Sequence, residues 1–98
     1  MFEENRQSKP FFFFSSIGNY TGVSASTPRD FLEKLAEVDA KCIEFHMSRG
    51  DFQKWFRDVW HMEEIAEQID KIKHLGLRGD AMRSILISIL GKSLNNEM

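Results

Sequence analysis

One cysteine stands in the 98 residues, Cys42, which excludes a disulfide framework and a cysteine-based zinc site. Two prolines and six glycines are too few for a collagen-like or low-complexity chain. No apolar run approaches the length of a membrane-spanning helix. Charge of one sign is missing as well. Thirteen Lys and Arg oppose fifteen Asp and Glu, and both signs are interleaved from end to end. Nucleic-acid binding leaves a basic footprint, and none is visible, so nucleic acid is not an expected partner. There is no His pair at i, i+4, no H-E-x-x-H and no phosphate-cradling glycine loop. No metal, cofactor or catalytic constellation is therefore expected, and enzyme activity is not the expected reading. The nearest approach to a nucleophile is Cys42 with His46 one helical turn away, and a buried Cys ordinarily packs as a small hydrophobe.

What is present is aromatic. Nine Phe and two Trp give folding much to bury. Phe11-Phe12-Phe13-Phe14 is too short for a secretory signal core, which needs about 7–15 apolar residues. With the unpaired Cys42, this points to a cytoplasmic location. Around Gly18-Asn19 the aromatic and β-branched residues predict a hairpin, Phe11–Ile17 with Tyr20–Ala25, turning at Gly18-Asn19 in a type II′ turn. An extended loop is the alternative, because Gly22 weakens the second strand.

From Thr27 the pattern becomes helical. Thr27 caps, Pro28 suits the first turn, and Phe31, Leu32, Leu35 and Val38 share a face. Asp39 starts the next helix, carrying Cys42, Ile43, His46 and Met47. Gly50 stops it, and Asp51 is the expected cap of a third helix with Phe52, Trp55, Phe56 and Val59. Met62 to Leu75 follows, with Ile65, Ile69 and Ile72 in a stripe. Asp80 is the expected cap of a last helix, apolar on most of its circumference, carrying Met82, Ile85, Leu86, Ile87, Ile89 and Leu90. Lys92–Met98 reads as ragged and polar. The expected fold is mainly α: a compact bundle of four to five short helices with an N-terminal extended segment or β-hairpin packed on it. Residues 1–9 read as a flexible N-terminus, 10–94 as a single helical domain and 95–98 as a flexible tail.

Two functional readings follow. The apolar side chains at the two ends exceed what so small a core accommodates. That marks Phe11, Phe12, Phe13, Phe14 and Ile87 as interface candidates in a non-enzymatic protein-interaction or regulatory module, covered by a second copy or a protein partner. The alternative is a small-anion or metabolite site, binding or catalytic, at the corner His46, Arg49, Asp51 and Trp55. There Arg and a protonated His would hold a carboxylate or phosphate while Asp fixes the imidazole tautomer. The same corner also reads as a helix–turn–helix joint in which Asp51 caps, Arg49 pairs with Asp51 or Glu44, and His46 is a half-buried hydrogen bonder. A third alternative is a nucleic-acid-binding helical domain at residues 72–83. It fails on Arg78, which stands where a helix-hairpin-helix needs its second glycine. Met82–Leu90 offers only Arg83 and two serines as a reading face.

Three stretches, Phe11-Phe-Phe-Phe-Ser-Ser-Ile-Gly-Asn-Tyr-Thr-Gly-Val, Ile43-Glu-Phe-His-Met-Ser-Arg-Gly-Asp-Phe-Gln-Lys-Trp55 and Leu77-Arg-Gly-Asp-Ala-Met-Arg83, resemble a prokaryotic, largely archaeal, family of small domains of unknown function. The resemblance covers about residues 10–94, and its most specific part is H-x-x-R-x-D-F-x-x-W. It implies no assigned reaction, but it directs interest to His46, Arg49, Asp51, Phe52 and Trp55. The segment Val59-Trp60-His61-Met62 departs from the small or acidic linker expected between helices. Trp60 there is a further interface candidate.

Overall fold

A computed structural model describes residues 9–96. Two antiparallel strands, β1 (Phe11–Phe14) and β2 (Tyr20–Ala25), precede five helices. These are α1 (Pro28–Glu37), α2 (Ala40–Arg49), α3 (Asp51–Asp58), α4 (Glu63–Lys73) and α5 (Gly79–Asn96). The mainly α fold with an N-terminal hairpin is thus the one the sequence predicts.

The hairpin is real but shorter than expected. Its first strand ends at Phe14, and residues 15–19 form the connection. That connection is closed by Ser15 N–H to the Asn19 carbonyl at 3.1 Å and Asn19 N–H to the Ser16 carbonyl at 3.0 Å. The ladder runs Phe11 opposite Ala25, Phe12 opposite Ser24 and Phe13 opposite Val23, then slips to Phe14 opposite Tyr20. Thr21 fills the irregularity: its hydroxyl donates to the Phe13 carbonyl at 2.8 Å and accepts from Val23 N–H at 3.1 Å. The strand period of two sends alternate rings to opposite faces. Phe11 and Phe13 enter the core, while Phe12 stays outside and Phe14 is half-buried.

Helix α1 begins as its sequence demands. Thr27 accepts from Asp30 N–H at 3.1 Å, Pro28 occupies the first turn, and Asp30 reaches back to Ser26 N–H at 3.0 Å. Gly50 ends α2 with φ 78°, a left-handed backbone that glycine adopts without the Cβ clash. The same residue stands at the start of α3. Asp51 is therefore the first residue inside α3, not its cap, and its carboxylate is spent elsewhere. Asp80 likewise lies inside the first turn of α5. The free amide at that helix start, Gly79 N–H, is met instead by the Glu44 carboxylate of α2 at 2.6 Å.

The last helix is longer than its apolar stretch suggests. It runs on to Asn96, and Leu94 is buried one turn beyond Leu90. The residues expected to be ragged are thus helical as far as the structure describes them. Helix α5 packs against α1, α2 and α4, which explains why so much of its circumference is apolar. Met82, Leu86, Leu90 and Leu94 form its buried line, and Ile85, Ile87 and Ile89 are partly covered beside it. Its one inward charge is Arg83, whose guanidinium donates to the Leu35 and Val38 carbonyls at the end of α1, both at 2.7 Å.

Candidate functional site

Helix α2, the turn at Gly50 and helix α3 carry His46, Arg49, Asp51 and Trp55, and the structure brings three of them together directly. His46 Nδ1 lies 2.8 Å from Asp51 Oδ2, and Arg49 Nε donates to the same oxygen at 3.0 Å. The Arg49 guanidinium also sits 5.2 Å from the centre of the Phe45 ring. His46 is only 3% exposed, enclosed by the rings of Phe11, Phe45 and Phe52 at centroid distances of 4.8, 5.0 and 5.5 Å.

The other ring nitrogen fixes the proton. Phe14 N–H donates to His46 Nε2 at 2.9 Å across 32 residues of chain. A backbone amide can only donate, so Nε2 must carry the lone pair and Nδ1 the hydrogen, which points at Asp51. His46 is thus a neutral imidazole with both nitrogens engaged. Burial holds its pKa below the ordinary histidine value, against the Asp51 hydrogen bond and charge that favour the imidazolium, with Arg49 adding to the depression.

Trp55 stands one turn into α3 and faces the same strand. Its Nε1–H donates to the Lys9 carbonyl at 2.8 Å. Lys9 belongs to the segment expected to be flexible; its backbone is tied to the body of the domain, and residues 1–8 lie outside the described residues. The corner therefore grips the chain at two points, Lys9 just before β1 and Phe14 at its end. Cys42 is buried, and burial pushes its thiol up, away from the thiolate. Among the described residues no group of three His, Cys, Asp or Glu is placed to hold a metal ion.

An open groove of about 430 Å³ runs between β1 and α3. It is lined by His46, Asp51 and Trp55, by Pro10, Phe12 and Phe14 from the strand side, and by Lys54, Asp58 and Val59 from α3 and its end. Arg49 is not part of it. Beside the groove lies an aromatic face. Phe12 is 47% exposed and Tyr20 46%. The Tyr20 ring contacts those of Phe12 at 5.6 Å and Phe14 at 5.5 Å. Ile17 projects from the turn alongside.

The sequence-derived interface candidates divide on burial. Phe11 and Phe13 are interior, stacked among Phe31, Phe52 and Trp55, so this chain covers them itself. The reason is the strand period, which gives a four-residue run two inward and two outward rings. Ile87 is partly covered by the core, and Trp60 is half-buried with its ring 5.9 Å from Trp55. Sequence reasoning missed Tyr20, Lys54, Asp58 and Val59. Tyr20 was within reach, since it pairs with the Phe run in any hairpin that turns at residues 15–19.

The fold and this joint define a small helical domain with an N-terminal hairpin bolted to a helix–turn–helix corner. Residues 1–91 match a family described as a family of unknown function (DUF5752), and the chain belongs to it. No curated protein and no solved structure matches the chain. No helix among the described residues is long and apolar enough to cross a membrane.

Proposed function

We propose that the protein is a non-enzymatic interaction module, resident in the cytoplasm, that self-associates through the outer face of its hairpin. The observation that carries this is the contiguous aromatic surface of Phe12, Phe14 and Tyr20. Two hydrogen bonds from the helices, at Lys9 and Phe14, hold the strand that carries them, and Phe12 and Tyr20 stay about half exposed. Large exposed rings are expensive in water and are the usual anchors of protein contacts. The corner residues act here as the mount for that surface. His46, Asp51 and Trp55 have their polar groups committed to one another and to the backbone of residues 9 and 14.

The experiment is sedimentation velocity over micromolar to submillimolar concentration on the wild type and on Phe12→Ser/Tyr20→Ser. The wild type is expected to associate with rising concentration and the double variant to remain a folded monomer that still melts cooperatively. A wild type that stays monomeric throughout overturns the reading.

A second reading has one observation in its favour: the groove beside the corner is lined by His46, Asp51 and Trp55, and it is large enough for a small metabolite. A ligand there would meet aromatic walls with Lys54 and Asp58 at the rim. Thermal shift against a metabolite set, repeated on Lys54→Ala, tests it. A shift that the variant abolishes favours the groove over the hairpin face.

A further inference from the structure

Two different forces hold the two ends of the hairpin. Phe11, Phe13 and Ala25 sink the open end into the core. Beyond Phe13 the ladder slips register, Phe14 is only half-buried, and residues 16–20 are exposed. At this turn end the tie to the helices is polar: Phe14 N–H on the bare Nε2 of His46. We propose that His46 is a proton-operated latch, which fixes the turn end of the hairpin to α2 while Nε2 is bare and releases it when Nε2 takes up a proton.

The chemistry is that of an imidazole with one acceptor. Protonation turns Nε2 into a second N–H donor. It then faces the Phe14 N–H, two hydrogens point at each other, and the amide loses its acceptor on α2. The ring cannot turn away to relieve this, because Nδ1–H stays on Asp51 in both states and the surrounding Phe rings confine it. The strand end is the part free to move. It carries Phe14 and Tyr20, two of the three rings of the aromatic face.

The charged groups around the ring set where this happens. From α3 comes Asp51, which favours the imidazolium. From α2 itself comes Arg49, which opposes it. Lys9, Lys54 and Asp58 stand along the same groove. Strand β1 brings no titratable side chain, only rings and the Phe14 amide. Burial outweighs Asp51, so the folded His46 titrates below the ordinary value of 6.5. The unlatched ring therefore binds the proton more readily than the latched one. The latch is therefore closed at neutral pH and is lost as pH falls through that lowered folded pKa.

The latch stands on the hydrogen-bond geometry alone. Its consequence for association rests on the aromatic face being the docking surface. The test uses uniformly ¹⁵N-labelled protein, titrated from neutral to mildly acid pH. At neutral pH the imidazole nitrogen shifts are expected to report Nδ1–H with a bare Nε2. On acidification the exchange protection of the Phe14 amide, corrected for the intrinsic rate, is expected to fall about tenfold, roughly one hydrogen bond's worth. The Leu86 and Leu90 amides of α5 are expected to keep theirs. Asp51→Asn keeps an acceptor for Nδ1–H but removes the charge, so its midpoint is expected at lower pH than that of the wild type. An Nε2–H tautomer at neutral pH overturns the latch. So does Phe14 protection that is unchanged through the His46 titration, or that falls in step with Leu86 and Leu90. Should Asp51→Asn fail to fold, the wild-type readouts still decide. Sedimentation across the same pH range separates the two ideas: a working latch with pH-independent association refutes the docking face and leaves the latch standing.

Discussion

Arg83 is where a single side chain holds two helices, and replacing it with Met is the sharpest test of the packing described here. Helix α1 ends with carbonyls that no later turn can meet. Arg83, from the first turns of α5, reaches across 45 and 48 residues of chain to donate to two of them, Val38 and Leu35, at 2.7 Å each. The guanidinium is a charged donor to neutral acceptors, a class of hydrogen bond worth about 1.5–3 kcal/mol each. Its side chain is 20% exposed, so water recovers part of the loss when it is removed. We expect Arg83→Met to cost about 3 kcal/mol, against a total stability of roughly 5–15 kcal/mol for a domain of ordinary size. In melting temperature that is roughly 12–24 °C at this chain length. Urea unfolding followed by circular dichroism reads it directly as a lowered midpoint at constant slope. The control is Asp80→Ala, which removes the other Arg83 partner, a carboxylate 3.2 Å away that is 88% exposed. That exposed pair is worth at most about 1 kcal/mol. If Arg83→Met costs no more than Asp80→Ala, the carbonyl contacts are not what joins α1 to α5, and the account of that joint is wrong.

Three further substitutions test the strand faces and the α2–α3 corner. Phe13→Ala, in the core, is expected to cost about 3–5 kcal/mol, while Phe12→Ser, one residue earlier on the outer face, is expected to cost under about 1 kcal/mol, both by chemical denaturation; equal losses would contradict the assigned strand faces. Gly50→Ala is expected to cost about 1–2 kcal/mol by the same assay from its left-handed backbone alone, since an added Cβ there meets nothing within 4 Å, and a neutral result would mean that the α2–α3 corner relaxes without it.

Helix starts and stops were legible because their causes are local. Thr27, Pro28 and Gly50 act within one turn of their own position, so the sequence displays both the device and its target. The apolar stripes were legible for the same reason. Asp51 and Asp80 show the limit. Each stands where a capping residue belongs, yet α3 begins one residue and α5 two residues earlier than that role requires. At Asp51 a left-handed Gly50 takes the place of the cap, and at Gly79 a carboxylate from α2 does. Nothing near Gly79 in the sequence announces that Glu44 will meet it. Ragged polarity after Leu90 misled in a different way. Four of the five residues from Gly91 to Asn95 are polar or glycine, but Leu94 falls on the buried line set by Met82, Leu86 and Leu90. One side chain at the right phase continues the helix where average composition argues against it.

The corner was legible as a cluster and not as a mechanism, and the difference lies in what its residues bind. Side chains were matched with side chains: Asp51 with His46 and Arg49, which is what the structure holds. The remaining two partners are backbone groups, the Phe14 amide and the Lys9 carbonyl. Backbone groups are the same at every residue, so no sequence pattern singles them out as targets. They nonetheless decide the role. An Asp–His pair with a bare, solvent-facing Nε2 is a proton-transfer device; the same pair with Nε2 under a strand amide is an anchor. A two-stranded hairpin is marginal by itself and must be fastened to something. Here burial of Phe11 and Phe13 fastens one end, and a neutral imidazole fastens the other. Because the second fastening depends on one lone pair, a single proton acts on the turn end and leaves the five helices untouched.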